Sequence, residues 1–249
     1  AEGVPSILSK ANPVNTATMP RMLADPPTSA PQQGSTPVAD RPGQLTQIDG
    51  WKGPCTSIEG FVGMNTHYDS YSTNIIPLCF VKKSDTPRLT DVYFRYCKSK
   101  GIDIDKGGTL YRDNEIVSNS AAMQKVSSDH HQTDRNSIEY TPTRNTGAES
   151  SSRIMGHEMR KTLIRAGTPD EFWASAAIDV ADLLASTRSR DGIAVGTKFD
   201  GKPRDVSKRR VWGCLVVAKK LPTWVRSKTD DRGVTGINLG RSTTKPGWR

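Results

Sequence analysis

The order of apolar patterns along the chain restricts its fold more than any other feature. From residue 45 onward, three short β-rich runs come first, over residues 45–48, 62–67 and 75–81. The third run is rich in apolar residues, as an inner strand would be. A helical pattern follows, then a short strand over residues 109–112 and further helical patterns. Strands followed by alternating helix and strand are typical of an α/β fold, so the sequence predicts a mixed sheet flanked by helices.

Two of the predicted helices are recognised by their apolar spacing. The first carries a stripe at i, i+3, i+4, i+7 and i+8, formed by Leu89, Val92, Tyr93, Tyr96 and Cys97. A second helix is expected over residues 119–126, and a longer one begins near Ala148 after the polar stretch 134–147. On the longer helix, apolar residues recur every four positions, at Met155, Met159 and Leu163.

The fourth predicted helix is recognised by its start. Thr168 as N-cap, Pro169 at the first position and Glu171 three residues after the cap form a capping box. A wide apolar face follows between Phe172 and Leu184. Two tryptophans in apolar surroundings, Trp173 and Trp212, are expected in the core.

The first part of the chain has a different composition from the rest. Residues 1–48 contain eight of the 16 prolines and none of the 16 aromatic residues. Without apolar periodicity such a segment does not offset the entropy lost on ordering, so a disordered leader is predicted. The expected organisation is therefore a leader over residues 1–44, a core over residues 45–190 and a basic extension over residues 191–249.

Positive charge is concentrated at the other end. The net charge is +9, and residues 150–249 alone hold 20 basic and 10 acidic side chains. Such a field attracts polyanions, nucleic acid first, although a basic surface also serves solubility. A basic cluster within it either binds nucleic acid, acts as a nuclear localisation signal or forms a solvated loop. The cluster is formed by Lys198, Lys202, Arg204, Lys208, Arg209 and Arg210, of which the last three are the candidate signal.

Several other classes of protein are excluded or disfavoured. The apolar runs are far shorter than a bilayer span, so no membrane-spanning segment is expected. The four cysteines contain no C-x-x-C pair, which argues against a zinc knuckle and favours free thiols. In an oxidising compartment up to two disulfide bridges could form between them. His130 and His131 have no Cys or further His nearby, so metal ligation by them is disfavoured. Because the first residue is Ala, we expect a processed start.

Three carboxylates are the candidates for chemistry. Asp49 and Asp113 each follow or end a predicted strand, and Glu149 opens the long helix. Three converging carboxylates hold two divalent cations for phosphodiester chemistry, and hard oxygen ligands favour Mg²⁺ or Mn²⁺. The alternative for Glu149 is that it only complements the helix dipole.

The sequence around these carboxylates resembles the integrase of Copia-type retrotransposons over about residues 45–249. Residues 48–54 are similar to that family's first-aspartate motif, and residues 68–72 to its D-D-Y-S turn. Residues 112–115 resemble its S-D-N-G-G-E motif, and residues 140–149 resemble its Y-T-P-x-Q-N-G-x-x-E. The resemblance implies a ribonuclease-H-like fold with a catalytic and metal-binding triad at Asp49, Asp113 and Glu149.

The chain departs from that family at three places. After Asp113 the two glycines of the motif are missing, so Glu115 arrives early. After Glu149 the family's basic E-R-K-N is replaced by three serines, Ser150 to Ser152, and by Arg153. Residues 1–48 contain no His and no Cys, so they hold no zinc-binding His/Cys domain. These departures indicate a decayed core, or one detached from its DNA-gripping partner domain.

The leader carries a second resemblance. Its segment Arg21-Met22-Leu23-Ala24 is similar to the R-x-L-R translocation motif of effectors secreted by oomycete plant pathogens, with Ala24 in place of the last arginine. The alternative is that this stretch is only a linker.

Two functions of different classes remain. The first is an RxLR-type effector, secreted and translocated into the host nucleus or cytoplasm. It binds a host protein or nucleic acid there, affects host defence or cell death, and needs no cofactor. The second is an active integrase in the nucleus of the retroelement's own cell, where it joins DNA strands with Mg²⁺ or Mn²⁺ at Asp49, Asp113 and Glu149.

Overall fold

A computed structural model describes most of the chain beyond the leader. The described residues are 38–112, 120–136, 146–207, 209–220, 222–224, 227 and 229–241. Four groups of residues singled out in the sequence lie outside them: the Arg21-Met22-Leu23-Ala24 motif, Asp113, residues 140–145 and Lys208. The predicted disordered leader, residues 1–44, is therefore described only from residue 38.

Five strands form one mixed sheet in the described part of the chain. The strands are β1 (Leu45–Lys52), β2 (Gly63–Asp69), β3 (Ile75–Phe80), β4 (Gly108–Arg112) and β5 (Gln132–Asn136), in the order β3-β2-β1-β4-β5. β1, β2 and β3 pair antiparallel, whereas β1, β4 and β5 pair parallel. The predicted mixed sheet is confirmed.

Helices cover both faces of this sheet. They are α1 (Thr86–Ser99), α2 (Ala121–Asp129), α3 (Thr146–Ala166), α4 (Trp173–Thr187) and the short α5 (Val195–Asp200). One core cluster packs Ile48 and Leu110 of the sheet against α1, α2 and α5. The other packs Met64 and Ile75 against α3 and α4. Because Ile48 faces α1 and α2, its neighbours along β1 face α3.

The predicted stripe of α1 is wrong at one position. Val92 is 40 % exposed, whereas Phe94, which was left out of the stripe, is fully buried. The buried face is centred on Thr90 and Cys97, so Val92 lies on its flank. The apolar face of α4 is likewise narrower than expected, because Leu183 is 37 % exposed.

The predicted capping box does not form. Residues Asp170–Phe172 make a 3₁₀ turn, and α4 begins only at Trp173. The turn is fixed from outside, because the carbonyl of Glu171 accepts the Ile58 N–H at 2.8 Å and the Trp173 indole donates to the Cys55 carbonyl at 2.9 Å. Within the described residues, the buried hydroxyl of Thr168 has no hydrogen-bond partner.

Two strand predictions also change. β3 was expected inside the sheet, but it is an edge strand. β5 was missed, because its sequence, Gln132–Asn136, is wholly polar and shows no strand pattern. The helices expected over residues 119–126 and from Ala148 are confirmed as α2 and α3, which start within two residues of the expected positions.

The C-terminal part holds two small antiparallel pairs, β6 (Ser189–Arg190) with β7 (Ile193–Ala194), and β8 (Leu215–Lys219) with β9 (Gly233–Ile237). Phe199 of α5 is 1 % exposed in the cluster beneath α1, so part of the predicted extension packs on the core.

Trp173 and Trp212 are buried, as expected. All four cysteines are unbridged, and Cys97 is buried. Over the described residues, no helix combines the length and apolarity needed to cross a membrane.

Candidate functional site

Asp49 lies on β1, on the side of the sheet that α3 covers. The side chains of a strand alternate, so Gln47 and Asp49 point away from the cluster that holds Ile48. The backbone carbonyl of Asp49 accepts a hydrogen bond from the Thr66 hydroxyl of β2 at 3.2 Å. The Asp49 residue is only partly buried, so a ligand can reach this end of β1.

Two hydrogen bonds hold the first turns of α3 against β1 and β2. The side-chain oxygen of Gln47 accepts the Ala148 N–H at 3.0 Å. One turn later, the hydroxyls of Ser152 and Thr66 lie 2.8 Å apart. Glu149 stands between these contacts along the helix and is exposed. These two contacts therefore place the first turns of α3, which carry Glu149, against β1, which carries Asp49, and its neighbour β2.

A glycine makes this close approach of helix and sheet feasible. At Gly147, a Cβ atom would lie 2.6 Å from the Gln47 side-chain oxygen and would also collide with the Tyr68 ring. Any larger residue would push α3 away from β1 and β2.

Asp113, the third predicted ligand, lies outside the described residues. β4 runs parallel to β1 in a register that pairs Gln47 with Tyr111, and its last residue is Arg112. The Arg112 side chain is 3 % exposed and pairs with Asp134 of β5, with N···O 2.6 Å. This ion pair fixes the end of β4 on the sheet. Within the described residues no three His, Cys, Asp or Glu side chains are grouped to hold a metal ion, and the predicted set includes Asp113.

The two described members of the triad suit a hard cation. Asp49 and Glu149 offer carboxylate oxygens, which Mg²⁺ and Mn²⁺ prefer, and neither residue is fully buried. Glu149 lies in the first turn of α3, at the positive end of the helix dipole. The triad as a metal site stays a prediction.

The D-D-Y-S-like turn has a structural role. The Asp69 carboxylate is 1 % exposed and accepts hydrogen bonds from Gly43 N–H at 2.7 Å and from the N–H and hydroxyl of Ser72 at 2.8 and 2.6 Å. Burial raises the pKa of Asp69, while these hydrogen bonds act in the opposite direction. The motif therefore fixes the β2–β3 turn, where Thr73 has a positive φ of 63°.

Part of the predicted basic cluster is paired within the protein. Arg204 bonds to Asp182 and Asp200, and Arg209 pairs with Asp179 and Asp182. Lys198 pairs with Asp191. Lys202 and Arg210 are exposed. The candidate signal of Lys208, Arg209 and Arg210 stays a prediction, with Arg209 also joining the loop to α4.

His130 has a partner of its own. Its Nε2 lies 2.9 Å from Asp91 of α1, and its ring packs on Phe94. His131 is exposed at the following turn. These contacts join α1 to the turn after α2.

Sequence reasoning missed three residues that position the site, Gln47, Thr66 and Ser152. The alternation of β1 was the only available signal, since it places Gln47 on the same face as Asp49. The contacts themselves join residues that lie 86 and 101 positions apart. No local pattern indicates such a pair.

The comparisons with known proteins bear on the fold. No protein-family model matches the sequence, and no curated protein matches it. The structure resembles a chain of the simian T-cell lymphotropic virus intasome, solved by cryo-EM in complex with PP2A regulatory subunit B56 gamma. That match has 13 % identity and a TM-score of 0.54, and it covers 90 % of this chain and 81 % of the other.

Two further solved structures are similar at lower scores. They are the dimeric and trimeric forms of the HTLV-2 integrase catalytic core domain in complex with magnesium. Each has 13 % identity and covers 64 % of this chain and 97 % of the other, with TM-scores of 0.46 and 0.47. The intasome match confirms the predicted ribonuclease-H-like, integrase-like fold. At such low identity the likeness concerns the fold alone.

Proposed function

We propose that the chain is a secreted effector of the RxLR type, translocated into host cells, whose integrase-like body binds a host protein or nucleic acid without catalysis. The delivery half of this proposal is supported by the leader, which carries Arg21-Met22-Leu23-Ala24 and neither His nor Cys. A plant cell attacked by an oomycete pathogen is the expected host, and suppression of defence or cell death the expected effect.

One structural observation supports the part of the proposal that requires no catalysis. The resembled motif has basic residues directly after its glutamate, where they would face DNA phosphates. Here Ser151 and Ser152 occupy that stretch and are 1 % and 8 % exposed. Ser151 donates to the Ala148 carbonyl at 2.7 Å, and Ser152 bonds to Thr66. The hydroxyls of this turn thus make hydrogen bonds inside the protein, where a strand-joining enzyme of that type grips DNA.

Delivery is tested with the full chain expressed from its own gene in the producing organism. The codons that precede Ala1 are determined first, because a signal peptide supports the effector and His/Cys zinc ligands support an integrase. We expect wild type to enter host cells and the double variant Arg21→Ala, Leu23→Ala to stay outside them. Met22→Ala is the matched control and is expected to enter. Retention of the wild-type chain inside the producing cell would refute the proposal.

Independence from catalysis is tested with the carboxylates. Asp49→Asn and Glu149→Gln are expected to leave the effect on host cell death unchanged when the chain is expressed inside plant cells. Loss of that effect in both variants, with normal protein levels, would show that the effect needs the carboxylates.

A second candidate, a polynucleotidyl transferase, is favoured by one observation. The Gln47–Ala148 and Thr66–Ser152 contacts hold the turn of Glu149 on the strands beside Asp49. Asp49, Asp113 and Glu149 would hold Mg²⁺ or Mn²⁺, which supplies Lewis acidity at the phosphodiester. Gln47 and Thr66 keep the helix and the strand in register, so that the carboxylate oxygens stay at fixed positions.

This candidate is tested by joining of retroelement DNA ends in the presence of Mg²⁺. Activity that disappears in Asp113→Asn and in Glu149→Gln, but persists in the control Glu158→Gln on the same helix, would establish it and defeat the proposal of an effector without catalysis. Absence of joining by wild type with both Mg²⁺ and Mn²⁺ would reject it.

A further inference from the structure

An apolar groove of about 570 Å³ runs along the free edge of the sheet. Its floor is β3, and its walls are α1 and α4. Apolar side chains dominate the lining: Ile76, Pro77 and Leu78 from the floor, Val92 from α1, and Ile178 and Ala181 from α4. A groove of this volume is within the range that binding sites occupy.

The edge of β3 cannot accept a further strand along its whole length. The backbone of Asn74 bonds to Asp69 of β2 at 3.0 Å, so in the β2–β3 register every second residue bonds to β2 and Pro77 faces outward. Proline has no N–H to donate, which interrupts any ladder at the centre of this edge. A partner must therefore bind through side chains, and a helix laid between two flanking helices does so.

A polar pocket of about 750 Å³ adjoins one end of the groove. The two share the lining residues Tyr96, Asp182 and Arg204, so they lie side by side, and the groove and the pocket together are termed the depression. The pocket is lined by five basic and three acidic residues. The basic residues are Lys98, Lys100, Lys202, Arg204 and Arg241, and the acidic ones are Asp182, Asp200 and Asp205.

Internal pairs neutralise only part of this charge. Arg204 is held by Asp182 and Asp200, and Lys98 pairs with Asp105 at 2.8 Å. Within the described part of the chain, Lys100, Lys202 and Arg241 form no ion pair. The pocket therefore presents a positive end to a ligand whose other part is apolar.

We propose that this depression binds an amphipathic helix of a partner protein, with the apolar face of the helix on β3 between α1 and α4 and acidic side chains at one end against Lys100, Lys202 and Arg241. The proposal deepens the binding function proposed above by naming a protein partner, and it stands apart from delivery. Acidic residues in the first turn of such a helix interact favourably with the positive end of its own dipole and with the basic side chains of the pocket. The apolar walls favour a protein over nucleic acid, whose backbone offers nothing to fill them.

The test uses the purified full chain and a labelled synthetic helix of about four turns, with leucines at i, i+3, i+4 and i+7 and glutamates in its first turn. Binding is measured by fluorescence anisotropy, so failure of secretion or translocation leaves the result unaffected. We expect Val92→Asp, which changes an exposed groove residue, to weaken binding at least about tenfold. We expect the same of the double variant Lys202→Glu, Arg241→Glu.

Matched controls lie outside the depression. Val81→Asp changes an exposed valine just beyond β3, and Lys219→Glu with Lys220→Glu changes basic residues of β8 and its turn. Both are expected to bind the helix as wild type does. A helix with lysines in place of the glutamates is expected to bind at least about tenfold more weakly to wild type and to regain affinity for the Lys202→Glu, Arg241→Glu variant.

Three results would overturn the proposal. Equal binding of the acidic and basic helices would remove the role of the positive end. A dimer of the chain in analytical ultracentrifugation that dissociates in Val92→Asp would make a second copy the occupant. Duplex DNA that displaces the helix, with an affinity lowered by Lys202→Glu, Arg241→Glu and unchanged by Val92→Asp, would make the pocket a nucleic-acid surface.

Discussion

The side-chain oxygen of Gln47 on β1 accepts the backbone N–H of Ala148 in α3, 101 residues further along the chain. The amide of Gln47 is 3 % exposed, and its nitrogen donates to the Ser70 hydroxyl at 3.3 Å. The first N–H groups of a helix have no partner within the helix, so Gln47 supplies from a neighbouring strand what an N-cap side chain supplies locally. The same strand carries Asp49. The hydrogen bond from β1 therefore fixes the position of the first turn of α3, which carries Glu149, relative to Asp49.

Gln47→Leu should lower the free energy of unfolding by about 1–2 kcal/mol, because it leaves the Ala148 N–H buried without its partner. Chemical denaturation measures the change. Ser70→Ala is the control, since it removes the other hydrogen bond of Gln47 and leaves the contact with α3 in place, and it should cost less than Gln47→Leu. Equal costs for the two variants would mean that the contact with α3 adds nothing.

The parts of the fold that the sequence predicts are those whose signals are local. β1, β2, β4, α1 and α3 follow from apolar patterns, because burial of one face leaves a regular spacing. β5 could not be found this way, since Gln132–Asn136 is polar and is a strand through its pairing with β4. The start of α4 is predicted wrongly for a related reason. Contacts with Ile58 and Cys55, which lie far away in the sequence, fix the turn before α4, and the capping box at Thr168 does not form.

The candidate site, too, is predicted from the sequence only in part. The positions of Asp49 on a strand and of Glu149 at the start of a helix are readable from the sequence, but the strand continues to Lys52, so Asp49 lies inside it and not at its predicted end. What brings them together is not readable from the sequence, because Gln47, Thr66 and Ser152 act across the sheet–helix interface. The ion pairs of Arg209 are likewise invisible in a basic run, where every charge looks equally solvated.

Gly147→Ala should destabilise the protein by about 1–3 kcal/mol, because the added Cβ meets the Tyr68 ring and the Gln47 side chain. Gly156 lies on the same helix with nothing within 4 Å of its Cβ position. Gly156→Ala should therefore stabilise the protein by up to about 1 kcal/mol through helix propensity alone. Thermal unfolding of the two variants gives the comparison, and the expectation fails if both move in the same direction.

Arg209→Ala should lower the free energy of unfolding by about 2 kcal/mol. Its side chain is 18 % exposed, and the carboxylates that it joins on α4 are those of Asp179 and Asp182, so the variant removes the cation from a largely buried set of charges. Arg210→Ala is the neighbouring control, and because Arg210 is exposed, the change should lie within about 0.5 kcal/mol of zero. If Arg210→Ala proves the costlier of the two in urea unfolding, the ion pairs of Arg209 do not hold the loop on α4.

His67 should make the protein less stable as the pH falls from 6.5 towards 4. The imidazole is fully buried and stacks on Tyr93 with ring centroids 4.7 Å apart, and burial lowers the pKa of His67 from 6.5 to about 4. Between these two values the unfolded chain binds a proton that the folded protein does not, so stability present above pH 6.5 is lost on acidification. The loss is on the order of 3 kcal/mol at the end of the window.

The measurement for His67 is the free energy of unfolding in urea at several pH values between 4 and 7. In His67→Gln the part of the pH dependence that comes from this residue disappears, so the curve should be flatter than that of wild type. His157→Gln is the control for the loss of an exposed histidine, because the side chain of His157 on α3 is 62 % exposed. Other groups, including Asp69, titrate alike in the variants, so their contributions cancel in the comparison. A wild-type slope that survives in His67→Gln would assign the acid sensitivity to other residues.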